Sequence, residues 1–194
     1  MNPAANLVLV GPMGAGKSTI GKRLARRFGL PFVDLDREIE TRCGARIALI
    51  FEHEGEAGFR EREHAALERA LSASGQVIAT GGGAVLRADN RGLMRAGGFV
   101  VWLRADVEQQ LHRLRNDTSR PLLATPDREQ RLRDMATLRD PLYREVADLV
   151  FQSSQAHVGA AADRLGRILM RRWQRPPAAA PDATLPRSPD EPPA

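Results

Sequence analysis

The sequence predicts an α/β fold, a parallel sheet covered by helices on both faces, and three observations predict it. Short runs rich in Val, Ile and Leu alternate with longer amphipathic stretches, the pattern of buried strands joined by crossover helices. The first run, Leu7-Val8-Leu9-Val10, leads into Gly11-Pro-Met-Gly-Ala-Gly-Lys17-Ser18, which fits G-x-x-x-x-G-K-[ST] in a strand–loop–helix setting. The chain's 194 residues, 42% of them hydrophobic, suit one domain with a sizeable core and show no internal repeat.

In chain order, strands are expected at 6–10, 31–34, 76–80, 99–103 and 148–151. Helical patterns fill 17–28, 36–42, 45–52, 56–72, 87–96, 107–115, 127–146 and 158–173. Asp106, just after the fourth strand, is placed to cap the helix that follows. Pro141 should kink or interrupt the helix that carries it. Residues 116–126, polar and then proline-stiffened with Arg120 between, read as a lid. The last twenty residues, 175–194, hold seven prolines and few large apolar side chains. They cannot bury enough surface to offset the entropy of ordering, so a disordered tail is expected after a domain of residues 1–174.

Ligands in such sheets gather at the carboxyl ends of the strands, so the residues after each strand carry the functional candidates. The glycines of the first loop let backbone N–H groups wrap an anion, and the helix behind it points its positive end at phosphates. Lys17 adds a point charge for the outer phosphates, and the Ser18 hydroxyl can ligand Mg²⁺. Of 29 basic residues only Lys17 and Lys22 are lysines, so lysine here is a specific choice. After the second strand come Asp34 and Asp36. One acid can reach a metal through water while the other faces an acceptor; alternatively Asp36 only caps the helix beginning at Arg37. After the third strand, Thr80-Gly81-Gly82-Gly83 implies a ligand or another chain segment passing very close. Arg60, Arg120 and Arg139 gain meaning as a constellation. A hydroxylated acceptor needs a carboxylate beside its reacting proton, and an acceptor carboxylate suits the planar fork of arginine. These residue types point to phosphoryl transfer from ATP to a small hydroxy acid.

Composition narrows the setting. No apolar run approaches a membrane span, and Met1 to Asn6 lacks a basic region before an apolar block, so no secretory signal is expected. A lone cysteine, Cys43, forms no intrachain disulfide and fits a reducing cytoplasm. The net charge is +5. The arginines are spread along the chain without interleaved aromatics, so no nucleic-acid partner is expected. The default oligomeric state is a monomer.

The motifs resemble the shikimate kinase family over roughly residues 6–170. They are G-P-M-G-A-G-K-S-T at 11–19, D-L-D at 34–36, the I-x-x-I-F-x-x-x-G-E-x-x-F-R-x-x-E run at 47–63, T-G-G-G at 80–83, R-P-L at 120–122 and L-R-D-P-L-Y at 138–143. The resemblance implies a P-loop fold like that of nucleoside monophosphate kinases, three layers with a five-stranded parallel sheet in the order 2-3-1-4-5, and a lid. It implies transfer of the ATP γ-phosphate to the 3-hydroxyl of shikimate, with one Mg²⁺, on the chorismate route to aromatic amino acids. It further implies that Asp36 binds the shikimate hydroxyls and acts as base, that Arg60 and Arg139 hold the carboxylate, and that Gly81 and Gly82 pack against the acceptor. Gly14, Ala15, Gly16, Lys17, Ser18 and Thr19 would hold the ATP phosphates, Asp34 would reach the metal through water, Arg120 would close on the phosphates and Arg113 would lie against adenine. The stretch 152–155 departs from the family in lacking a basic residue that many relatives carry near adenine. A gluconate kinase would share the loop but not the Arg60, Gly81–Gly83 and Arg139 set. A GTP-dependent switch would need N-K-x-D, which is absent from the sequence.

Overall fold

The computed structural model describes residues 5–115, 127–152 and 158–174. The expected lid at 116–126 with Arg120, residues 153–155 of the adenine stretch, and the tail at 175–194 lie outside the described residues.

The five strands are β1 Asn6–Val10, β2 Phe32–Asp34, β3 Val77–Ala79, β4 Gly98–Arg104 and β5 Leu149–Gln152. They form one parallel sheet in the order β2-β3-β1-β4-β5. The helices are α1 Lys17–Phe28, α2 Leu35–Cys43, α3 Ile47–Ser72, α4 Ala88–Gly97, α5 Val107–Leu114, α6 Arg128–Val146 and α7 Val158–Arg172, with a short 3₁₀ turn at Ala84–Leu86 before α4.

The strand sequences explain the layers. Successive side chains alternate across a sheet, and a strand covered on both sides can be apolar throughout. In β1, Leu7 and Leu9 join a core with α1 and α7, whereas Val8 and Val10 join one with α2, α3 and Tyr143 of α6. In β4, Phe99, Val101 and Leu103 face the first core, and Val100 and Trp102 face the second. At the amino end of the sheet the buried Asn6 side chain donates to Ala73 O and Gly97 O and accepts from the Gln76 amide. It thus ties the entries of β3 and β4 to β1, with both amide donors and the carbonyl oxygen bonded to protein.

One local detail agrees with the sequence reading and two differ. The two helices expected at 45–52 and 56–72 lie end to end within Ile47–Ser72, separated by a kink at Gly55, φ 70°, a conformation that glycine adopts readily. Helix α6 runs on through Pro141. Pro141 and Thr137 both lie on its exposed face, so the carbonyl deprived of an amide partner turns to solvent. Asp106 does occupy the position before α5, but its carboxylate makes no capping bond to the helix and instead accepts from Gln152 Nε2 at 3.2 Å.

The basic residues are also less dispersed in space than in sequence. Lys22, Arg23, Arg26 and Arg27 on α1 and Arg164, Arg167, Arg171 and Arg172 on α7 are all exposed on adjoining helices, with Asp163 the acid among them. On the other side of the sheet, cations interleave with acids in pairs such as Arg62–Glu54, Arg87–Glu61 and Arg91–Glu145. The aromatics beneath the basic face, Phe28 and Trp173, meet edge to face at 5.5 Å and face inward rather than standing free. Among the described residues no helix is long and apolar enough to cross a membrane.

Candidate active site

A cavity of about 570 Å³ opens at the carboxyl ends of the strands, and residues from every strand-end loop singled out above, β1, β2 and β3, border it.

The loop after β1 supplies one wall. Gly11 sits at φ 139°, and a methyl group there would fall 2.3 Å from Leu103 O of β4, so only glycine lets the loop leave the sheet this way. Gly14 and Gly16 also have positive φ, and Gly16 stands at the start of α1 with no side chain capping the helix. The first turn carries no acid. Its amide donors therefore face the cavity as a site for an anion. Lys17 Nζ donates to Gly11 O at 2.7 Å and Pro12 O at 2.9 Å, arching over its own loop. Ser18 and Thr19 are exposed on the cavity rim with Ala15 beneath them. From α5, Arg113 Nη1 donates to Gly14 O at 2.8 Å and so lies across the loop.

The second wall is acidic. β2 ends at Asp34 and α2 begins at Leu35, which puts Asp36 inside the first turn. The capping alternative for Asp36 is therefore corrected: Asp34 holds the position before the helix, and its carboxylate makes no capping bond. Both carboxylates border the cavity.

The third wall joins α3 and α6 to the glycine run. A methyl group on Gly81 would fall 2.3 Å from Glu63 Oε1 and 3.1 Å from Asp36 Oδ1, and one on Gly83 would fall 2.3 Å from Arg60 Nη2. The glycines thus make room for charged side chains that press against the backbone. Arg60, 12% exposed, donates to Glu63 Oε2 at 2.7 Å and to Glu56 Oε1 at 2.8 Å. Burial opposes its charge, but the two carboxylates hold its pKa above the ordinary arginine value. Arg139, 6% exposed, donates to Gly82 O at 3.4 Å. Burial draws its pKa down, and the nearby Arg60 cation draws it further. Two partly buried guanidinium groups that repel each other across a glycine cradle form a receptor for an anion.

Glu63 is fully buried, and its Oε1 has no hydrogen-bond partner among the described residues. Burial pushes its carboxyl above the usual range, while Arg60 pulls it back. The sequence reading quoted Glu63 inside the F-R-x-x-E run without giving it a role. Its spacing of three from Arg60, on one helix face, was the available signal. The same holds for Tyr143, quoted in L-R-D-P-L-Y, whose hydroxyl donates to Gly82 O. The structure thus brings Asp34, Asp36, Arg60, Gly81, Gly82, Arg113 and Arg139 to one cavity with the phosphate loop.

Among the described residues no three His, Cys, Asp or Glu side chains form a metal cage. Ser18, Asp34 and Asp36 offer oxygen atoms at the rim, a donor set that fits Mg²⁺, which typically binds through few protein oxygens plus phosphates and water.

A family model described as Shikimate kinase matches residues 13–169. A shikimate kinase of Stenotrophomonas maltophilia (strain R551-3) is 55% identical over 175 residues, which cover 90% of this chain and 97% of the relative. One of Pseudomonas paraeruginosa is 59% identical over 150 residues, 77% of this chain and 87% of the relative. Among solved structures, shikimate kinase from Acinetobacter baumannii in complex with shikimate is 45% identical and superposes with a TM-score of 0.85, covering 88% of this chain and 95% of that one.

Proposed function

This chain belongs to the shikimate kinase family, and we propose how its cavity performs the family's reaction. The reaction moves the γ-phosphoryl group of ATP to the 3-hydroxyl of shikimate, on the chorismate route to aromatic amino acids. The observation that carries the assignment of roles is the meeting of Arg60 and Arg139 at the glycine run, beside Asp36 and opposite the phosphate loop.

Arg60 and Arg139 bind the shikimate carboxylate, their mutual repulsion relieved by the anion between them. Gly81 and Gly82 leave space for the ring. Asp36 accepts hydrogen bonds from the ring hydroxyls and takes the proton of the attacking one as its oxygen bonds to phosphorus and the bond to the ADP oxygen breaks. The amides of residues 14–19 wrap the phosphates, and Lys17 exchanges its carbonyl partners for phosphate oxygens. Arg113, which borders the cavity and donates to Gly14 O, would lie against the nucleotide base, and Arg120 would act on the phosphates. Ser18, and Asp34 through water, would hold Mg²⁺, which would supply charge neutralisation for the phosphates. We read the chain as a cytoplasmic monomer: its lone cysteine fits a reducing compartment, and described residues of a single copy line the cavity.

The test is ADP release with ATP and Mg²⁺, with shikimate, with gluconate and with no acceptor. Turnover that requires shikimate is the expected result. Turnover independent of acceptor, or requiring gluconate, would overturn it.

A further inference from the structure

Tyr143 lies one helical turn after Arg139 on α6, where positions four apart share a face. It is 1% exposed and does not border the main cavity. Its ring stacks on Trp102 of β4, with centroids 5.7 Å apart and planes inclined at 28°. Its hydroxyl donates to Gly82 O. Arg139 Nη1 also donates to Gly82 O. One phenol therefore joins the glycine cradle to the arginine that faces it.

We infer that Tyr143 is a positioning residue for the acceptor carboxylate, holding the Arg139 guanidinium and the Gly82 peptide in one fixed relation while touching neither substrate. The inference rests on the proposed role of Arg139. Three features support it. The stacked ring fixes where the hydroxyl sits, because Trp102 belongs to the sheet. The phenol and the Arg139 guanidinium both donate to one carbonyl, Gly82 O; no aliphatic side chain could share it in this way. Among the described residues Arg139 Nε has no partner and no carboxylate pairs with the guanidinium, whereas Arg60 is held by Glu63 and Glu56. Among the described residues the Arg139 hydrogen bond is to Gly82 O, the carbonyl that the phenol also holds.

Tyr143→Phe keeps the ring and its stacking and removes only the hydroxyl. Shikimate affinity is read by calorimetry without nucleotide, and kcat and both KM values are read by ADP release, for the wild type, Tyr143→Phe, Arg139→Lys and the double variant. Tyr143→Phe is expected to weaken shikimate binding and raise its KM by roughly tenfold, with ATP KM and kcat little changed. The two substitutions should combine to less than the product of their separate effects, because both act through one guanidinium. Unchanged shikimate affinity in Tyr143→Phe would overturn the inference. So would equal losses for ATP and shikimate together with a lowered thermal midpoint, the mark of a merely structural role. A wild-type chain that binds no shikimate would instead overturn the reading of the site.

Discussion

Glu63 shows what one buried side chain does here. It sits between Arg60, which it binds, and Asp36, whose charge adds to the upward push of burial on its carboxyl. A raised value means that the folded chain holds this proton more tightly than the unfolded chain. Its share of stability is fullest below the unfolded carboxylate value and is lost as pH rises through the raised one. Substrate binding has the opposite sign: as pH falls through the raised value, Glu63 takes up a proton and Arg60 loses an ionic partner. We expect kcat/KM for shikimate to decline on the acid side above the ordinary glutamate range. Glu63→Gln should lack that limb and run about tenfold lower at neutral pH, the equivalent of about 1.4 kcal/mol for a charged hydrogen bond. An unaltered profile in the variant would assign the limb to another group. Asp36, Arg60 and Arg139 were legible as candidates because each stands in a local motif. The parts played by Glu63 and Tyr143 were not, because their defining contacts, with Gly81 and Gly82, cross the fold.

At the scale of elements, the glycine run between β3 and the 3₁₀ turn is a spacer cut to fit two helices. Gly83 has ordinary dihedrals, φ −102° and ψ −2°, so alanine costs the backbone nothing there. The added methyl would nevertheless meet the Arg60 guanidinium at 2.3–2.6 Å, and Glu56 and Glu63 limit where that group can retreat. Gly83→Ala should therefore fold and bind ATP normally but lose shikimate kcat/KM by on the order of a hundredfold, the usual result of a misplacement near 1 Å. Near-normal kinetics would show that Arg60 repacks freely. Periodicity located these helices well, since apolar spacing records which face is buried. It could not show that α6 passes through Pro141, because whether a helix tolerates proline depends on which carbonyl loses its donor and whether water reaches it.

For the whole molecule, composition reports the excess of positive charge but not its location. The eight exposed cations of α1 and α7 occupy separate ends of the sequence and become neighbours only because β1 and β5 place both helices on one side of the sheet. We expect Arg167→Glu with Arg171→Glu to lower the salt needed to elute the protein from a cation exchanger more than the same changes at Arg95 and Arg133 on the opposite side, with shikimate kinetics intact. Equal shifts would mean an evenly charged surface. Strand order was likewise beyond periodicity, which marks strands without ranking them. The family resemblance implies it, and the structure has the same order.

Helices α1 and α7 both begin beside the cavity, with Lys17 and Val158 on its border, and run away from it. Most of their arginines therefore lie toward the far end of the molecule. Laid on an anionic support without chemical coupling, the enzyme would settle on that side and keep its mouth toward the solution, an orientation useful for immobilised catalysis.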